Sequence, residues 1–172
     1  KLRILKDCFH SFSQSVAELP TTTPQGLWLE RDELYTLKDF ITQKNPGCRF
    51  LIGPPGCGKS SILTKLTTWC VESKLVCLAI KADFVPVEIE KLSDLDRLVL
   101  GDGSTLVNSR CELSLQEKTV VIIDQLDALA ALVDSKTCRL DAMLQFISEL
   151  AQKTSTFVIV SMRDFDMRHD AR

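Results

Sequence analysis

The sequence lacks the features that mark several common classes of protein. It contains no Cys-x-x-Cys pair and only two histidines, so neither a disulfide framework nor a zinc site is indicated. No apolar stretch approaches the roughly 18 residues that a membrane-spanning helix requires. The opening segment, KLRILKDCFH, carries charges where a signal peptide has its apolar region. The formal net charge of −2 gives no electrostatic reason to expect a nucleic-acid or anionic-membrane partner.

The cysteines that are present show no pairing pattern. There are seven, an odd number, and they are scattered along the chain. Several fall in predicted strands or on apolar helix faces, where cysteine behaves as a small hydrophobic residue. This distribution predicts a reduced, cytoplasmic setting. Because the first residue is not methionine, we also expect the sequence to be an excerpt of a longer protein.

The composition is that of a globular domain, since 172 residues that are 45% apolar and 26% charged can bury a substantial core. An N-terminal helix that ends before Pro20 is predicted from apolar residues at helical spacing, namely Leu5, Phe9, Phe12 and Val16. The segment PTTTPQG (20–26) follows as a linker. We therefore predict that residues 1–26 are a helix and linker and that residues 27–172 form the main domain, with a second helix from Asp32 to Gln43.

Beyond the second helix, apolar runs alternate with helical patterns. The predicted strands are CRFLI (48–52), LVCLAI (75–80), TVVII (119–123) and FVIVS (157–161). Helices are predicted from Ser60 to Val71 and over 140–151, and the segment 85–116 has a mixed pattern. Strands separated by helices predict parallel crossovers, and hence a three-layer αβα fold of the α/β class with a mainly parallel sheet.

The segment FLIGPPGCGKS (50–60) contains three of the seven glycines and two of the six prolines. It satisfies the P-loop pattern G-x-x-x-x-G-K-S, with the strand before it and the helix after it that the pattern requires. Glycines let backbone N–H groups converge on phosphate oxygens, and the start of the next helix adds partial positive charge. The alternative is an ordinary surface turn. The predicted nucleotide contacts are Gly53, Pro54, Pro55, Gly56, Cys57, Gly58, Lys59, Ser60 and Ser61.

Specific roles are predicted for three side chains of this segment. Lys59 is expected to reach the β- and γ-phosphates, and the Ser60 hydroxyl to take a coordination position on Mg²⁺. Cys57 is either a redox-sensitive thiol or a small residue at a variable position of the loop.

In the segment VVIIDQLDAL (120–129), an apolar run is followed by Asp124 and Asp127, and this pattern predicts a metal site. Asp124 closes a predicted strand, and a carboxylate at the carboxyl end of a strand faces the ligand crevice of an open α/β sheet. Asp124 is therefore the candidate for orienting Mg²⁺, the Walker B role, with capping of the next helix as the alternative. Asp127 either lies near the attacking water or serves as a first-turn acid of that helix.

Arg163 lies just beyond the carboxyl end of the predicted strand FVIVS. A guanidinium at that place could contact the γ-phosphate and report its presence. The alternative is a surface arginine that pairs with Asp164 or Asp166. The predicted catalytic residues are thus Lys59, Asp124, Asp127 and Arg163.

The segments GPPGCGKS, VVIIDQLDAL and FVIVSMRDFD, in this order and spacing, resemble the STAND class of P-loop ATPases, relatives of the NACHT, NB-ARC and AAA+ modules. The resemblance covers about residues 27–170 and is best with bacterial STAND-like ATPases, whose R-x-F-D-x-x-x-D tail corresponds here to Arg163, Phe165, Asp166 and Asp170. LWLERDELYTLKDF (27–40) resembles the segment of that class that helps enclose the adenine. The resemblance implies adenine contacts from Leu29 and Arg31, although Glu30 stands where the class often has glycine.

The resemblance carries expectations about fold and function. It implies that the strand FVIVS lies between the P-loop strand and the TVVII strand, and that ATP and Mg²⁺ are the cofactors. It further implies an ATP-governed switch in a signalling or defence protein. The expected partners are the nucleotide, further copies of the full-length protein and other domains of the parent chain.

The sequence departs from the pattern in two places. Gln125 follows Asp124, where many relatives have a catalytic glutamate. A neutral amide can orient water but cannot accept its proton, so we expect hydrolysis to be slow or to depend on Asp127. The chain also ends at Arg172, before the lid domain that usually follows in the class, so we expect that lid to be absent.

Two further functional classes fit a P-loop. One is an AAA+-like motor or loader that acts on protein or nucleic acid, and the other is a small-molecule kinase. A GTPase is not indicated, because the sequence has no Asn-Lys-x-Asp segment for guanine.

Overall fold

Four parallel strands form one sheet in the computed structural model, which describes residues 2–22, 28, 30–100, 117–131, 138–152 and 155–164. The strands are β1 (Gly47–Ile52), β2 (Val76–Lys81), β3 (Thr119–Asp124) and β4 (Thr156–Met162). Their order across the sheet is β1-β4-β3-β2, and each neighbouring pair is parallel. The prediction that FVIVS lies between the P-loop strand and the TVVII strand is confirmed.

The described residues form six α-helices and one short 3-10 turn over Ala82–Phe84. The helices are α1 (Leu2–Ala17), α2 (Asp32–Thr42), α3 (Lys59–Glu72), α4 (Leu92–Leu100), α5 (Ala128–Ala131) and α6 (Arg139–Ala151). α2, α3 and α6 begin and end within one residue of the helices predicted from the sequence. No helix in the described part of the chain is both long and apolar enough to cross a bilayer.

The helices cover both faces of the sheet, which confirms the three-layer αβα prediction. On one face, Leu78, Val121 and Val158 pack with α4 and α6 in a common apolar cluster. On the other face, Ile122 and Ile159 pack with α2 and α3. β3 is buried along its whole length, as expected of a strand covered on both faces, where an uninterrupted apolar run is favoured.

Helix α1 runs along the open edge of β2. Phe9 belongs to the apolar cluster on one face of the sheet and Val16 to the cluster on the other. Between them, the buried Ser13 hydroxyl accepts a hydrogen bond from the Ala79 N–H at 2.8 Å and donates to the Phe9 carbonyl at 2.7 Å. An edge strand presents unpaired backbone groups, and α1 both covers them and bonds two of them, because the same hydroxyl also lies 3.2 Å from the Cys77 carbonyl. The domain boundary near residue 26 remains a prediction.

The cysteines of the described residues are free thiols. Cys70 and Cys77 are buried in the cluster between the sheet and α3. A hydrogen bond with Cys70, together with burial, raises the pKa of the Cys77 thiol well above its ordinary value. The thiol therefore stays protonated, and the pair contributes to packing as small hydrophobic residues do.

The contact between α1 and β2 generates a stability prediction. Ser13→Ala leaves the Ala79 N–H buried without an acceptor, so we expect the free energy of unfolding to fall by about 1–3 kcal/mol. Urea denaturation measures this difference. Ser11→Ala, the same substitution at an exposed position of α1, is the control and should stay within about 0.5 kcal/mol of the wild type. An unchanged unfolding midpoint for Ser13→Ala would show that the edge of β2 does not depend on this hydroxyl.

Candidate functional site

The loop between β1 and α3 turns through two glycines in left-handed conformations. Gly56 has a φ of 74° and Gly58 a φ of 90°, values that side chains other than glycine rarely adopt. The first hydrogen bond of α3 runs from the Ile62 N–H to the Gly58 carbonyl at 3.0 Å. The amides of residues 58–61 therefore have no acceptor within the helix. Such a group of amides at a helix start is suited to binding an anion.

Lys59, the first residue of α3, folds back over this loop. Its ammonium donates hydrogen bonds to the carbonyls of Gly53 at 2.7 Å and Pro54 at 2.9 Å, and it lies 3.7 Å from Cys57 Sγ. The residue is 9% exposed. In this conformation the loop itself satisfies the lysine, and the positive charge is held next to the free amides.

A cleft of about 330 Å³ opens at the carboxyl end of the sheet. The following residues line it: Pro55, Gly56, Gly58, Lys59, Ser60, Ser61, Gln125, Asp127 and Arg163. They come from the P-loop, the start of α3 and the segments that follow β3 and β4. The carboxyl edge of a parallel sheet is where ligands bind in open α/β folds. Eight of the residues predicted from the sequence as site residues thus meet around one cleft, and Gln125 joins them.

Asp124 does not line the cleft but lies fully buried at the end of β3. Its Oδ1 accepts a hydrogen bond from the Ser161 hydroxyl at 2.6 Å. Its Oδ2 has no hydrogen-bond partner among the described residues. A buried carboxylate oxygen without a partner is unusual and marks a place where a cation or water can bind.

The chemistry of these donors fits Mg²⁺. No group of three or more His, Cys, Asp or Glu side chains in the described part of the chain could hold a metal ion by itself. Mg²⁺ typically binds through one or two protein oxygens and completes its shell with water and phosphate oxygens. Asp124 and the Ser60 hydroxyl offer oxygens of that kind.

Ser161 joins the ends of β3 and β4 and is not among the site residues predicted from the sequence. Besides donating to Asp124, its hydroxyl accepts a hydrogen bond from the Gln125 N–H at 2.8 Å, and its carbonyl accepts one from the Leu126 N–H at 3.0 Å. Gln125 adopts a left-handed φ of 59°, which is uncommon for a residue with a side chain. The signal for Ser161 in the sequence is a hydroxyl in an otherwise apolar strand, at the carboxyl end where the site lies.

Asp127 and Arg163 form an ion pair across the cleft wall. Arg163 Nε lies 2.9 Å from Asp127 Oδ2, in a geometry that is not aligned for a hydrogen bond. The Asp127 side chain is 2% exposed, whereas that of Arg163 is 48% exposed. Arg163 therefore pairs with an acid of the β3 loop and not with Asp164, and its guanidinium still borders the cleft.

Arg31 lies outside the cleft and contacts the back of the P-loop. Its Nη2 donates a hydrogen bond to the Cys57 carbonyl at 2.9 Å. Three other residues of the P-loop, Gly53, Pro54 and Cys57, likewise do not line the cleft. Their carbonyls accept hydrogen bonds from the side chains of Lys59 and Arg31. Four residues of the sequence-based resemblance lie outside the described residues, namely Leu29, Phe165, Asp166 and Asp170.

Comparison with protein families identifies the chain. The model of the ATPase family associated with various cellular activities (AAA) matches residues 50–171, more than half of the 172 residues. The chain belongs to this family. The predicted relationship to AAA+ modules is therefore confirmed, whereas membership of the STAND class remains a prediction. No curated protein matches the chain by sequence.

Solved structures share the fold at low sequence identity. The Walker-type ATPase of Pyrococcus abyssi has a TM-score of 0.58 and 14% identity, covering 90% of this chain and 51% of that one. AMPPCP-bound DnaA from Aquifex aeolicus has a TM-score of 0.54 and 14% identity, covering 88% of this chain and 45% of that one. The chain spans about half the length of both structures. These similarities support the α/β fold of P-loop ATPases.

The position of Ser161 leads to a second stability prediction. Ser161→Ala removes the donor to Asp124 and the acceptor for the Gln125 N–H at once, so we expect a loss of about 1–3 kcal/mol in the free energy of unfolding. Urea denaturation measures it, with Ser73→Ala at the exposed end of α3 as the control. If both variants unfold at the wild-type midpoint, the hydroxyl does not hold the two strand ends together.

Proposed function

We propose that this member of the AAA ATPase family binds ATP and acts as a nucleotide switch with slow or regulated hydrolysis. One observation carries the proposal: the free amides at the start of α3 and the charged side chains of Lys59, Asp127 and Arg163 all border the same cleft. Amides and cations at a helix start recognise phosphate.

Each group has a distinct task in this proposal. The amides of residues 58–61 bind phosphate oxygens, and Lys59 exchanges the Gly53 and Pro54 carbonyls for the β- and γ-phosphates. The Ser60 hydroxyl and Asp124 would hold Mg²⁺, which neutralises phosphate charge when it is bound. Arg163, already exposed at the cleft, contacts the γ-phosphate.

The side chains of Gln125 and Asp127 explain why hydrolysis should be slow. Gln125 lies where an attacking water could be oriented, but its amide cannot accept a proton. Asp127 is the carboxylate of the cleft that remains for this task, and Arg163 holds it in an ion pair. A γ-phosphate that attracts Arg163 would release Asp127, which would couple the arrival of ATP to a change in the cleft wall.

The whole protein is proposed to work as the STAND resemblance implies. The switch would control other domains of the parent chain in a cytoplasmic signalling or defence protein, and copies of the full-length protein would assemble when nucleotide binds. The sequence motifs GPPGCGKS, VVIIDQLDAL and FVIVSMRDFD support this part of the proposal.

An AAA+-like motor or loader is the second candidate, and the family match favours it. Such an enzyme turns over ATP rapidly and needs an arginine supplied by a neighbouring subunit. Slow turnover by assembled protein would support the switch, whereas rapid turnover that rises with protein concentration would support the motor. A small-molecule kinase would be revealed by turnover that requires an acceptor.

Lys59 provides the first test of nucleotide binding. Lys59→Ala removes the ammonium that is proposed to bind the β- and γ-phosphates, so we expect the affinity for Mg-ATP to fall at least about 100-fold. Isothermal titration calorimetry measures it, and Lys44→Ala at an exposed position beyond α2 controls for the loss of one charge. Equal affinity of Lys59→Ala and the wild type would refute the phosphate site.

Asp127 provides a test of hydrolysis. Asp127→Asn keeps the shape of the side chain but removes the carboxylate, so we expect ATP turnover to fall about 100-fold, as for the loss of a general base. Asp164→Asn, which makes the same change beside Arg163, should leave turnover near the wild-type value. A wild-type rate for Asp127→Asn, measured by phosphate release, would leave Asp127 as an acid of the loop before α5 without a role in hydrolysis.

A further inference from the structure

The contact between Arg31 and the P-loop assigns this arginine a role that differs from adenine binding. We propose that Arg31 is a positioning residue: by holding the Cys57 carbonyl, it turns the Gly58 N–H toward the phosphate. This inference rests on the proposed nucleotide site and concerns how the amides of the P-loop are oriented.

The geometry of Arg31 favours contact with the loop. Arg31 precedes α2 in an extended conformation, with a φ of −136° and a ψ of 122°, and its side chain makes no capping hydrogen bond to that helix. Instead, Nη2 reaches 26 residues along the sequence to the Cys57 carbonyl, at 2.9 Å. The guanidinium also lies 3.4 Å from the place where a Cβ on Gly58 would be.

The planarity of the peptide group transmits this contact to the cleft. In a trans peptide, the carbonyl of one residue and the N–H of the next point in opposite directions. Arg31 holds the Cys57 carbonyl, so the Gly58 N–H points away from Arg31. Gly58 lines the cleft, whereas Arg31 and Cys57 do not. The free amide is thus directed to the side on which phosphate would bind.

A loop with glycines on both sides of Cys57 needs such a restraint. Gly56 and Gly58 both have positive φ, and glycine tolerates many other conformations. Rotation of the Cys57–Gly58 peptide would present a carbonyl oxygen to the phosphate in place of an N–H. Lys59 restrains the Gly53 and Pro54 carbonyls in the same way, so two cations together hold three carbonyls of the loop.

A ligand without a base distinguishes this role from adenine contact. We would measure the affinity of the wild type, Arg31→Met and Arg31→Lys for Mg-ATP and for inorganic tripolyphosphate by calorimetry. Arg31→Met removes the donors, and we expect both affinities to fall by the same factor, roughly tenfold or more. Arg31→Lys retains a donor and should recover part of both losses. Arg49→Met, which removes an exposed arginine of β1, controls for charge.

The unliganded protein gives an independent readout. In protein labelled with ¹⁵N-glycine, only seven amides are labelled, and Arg31→Met should shift that of Gly58 while the Arg49→Met variant does not. The proposal is overturned if Arg31→Met weakens ATP but not tripolyphosphate, or if it changes neither affinity, or if the Gly58 amide is unmoved. A wild type that binds neither ligand would instead refute the nucleotide site itself. If Arg31→Met does not fold, Arg31→Lys decides. Equal changes in the affinities for Mg-ATP and tripolyphosphate support the proposal, and a change for Mg-ATP alone overturns it.

Discussion

The parallel pairing of β1, β4 and β3 is the constraint on which the candidate site depends. Because these strands are adjacent and point the same way, their carboxyl ends meet at one edge of the sheet. The loop after β1 brings free amides to that edge, the loop after β3 brings Gln125 and Asp127, and the end of β4 brings Arg163. β3 and β4 are buried along almost their whole length, and the more exposed edge strand β1 is fixed by its pairing with β4.

Three of the charged side chains at this edge form hydrogen bonds with neutral groups of the chain. The cations Lys59 and Arg31 bind backbone carbonyls of the P-loop, and the buried Asp124 binds the Ser161 hydroxyl. Only Arg163 and Asp127 form an ion pair with one another among these site residues. The amides at the start of α3 and one oxygen of Asp124 consequently stay available for a ligand and a metal.

Local patterns in the sequence predict the strands, the helices and the P-loop, because each depends on residues that are close along the chain. The place of β4 between β1 and β3 came from a family resemblance, since periodicity does not give strand order. Contacts between distant residues escaped prediction: Ser161 binds residues 36 and 37 positions away, and Arg31 binds a carbonyl 26 positions away. The pairing of Arg163 with Asp127, and not with the neighbouring Asp164, has the same origin, because the strand order sets it.

The most direct test of the account is whether the loop amides bind a triphosphate. Protein labelled with ¹⁵N-glycine contains three labelled sites in the P-loop, Gly53, Gly56 and Gly58, and four elsewhere. Titration with Mg-ATP should shift the Gly56 and Gly58 amides strongly, because these residues border the cleft, and should leave Gly47 at the far end of β1 nearly unchanged. Shifts confined to glycines outside the loop, or no shifts at millimolar Mg-ATP, would contradict the account.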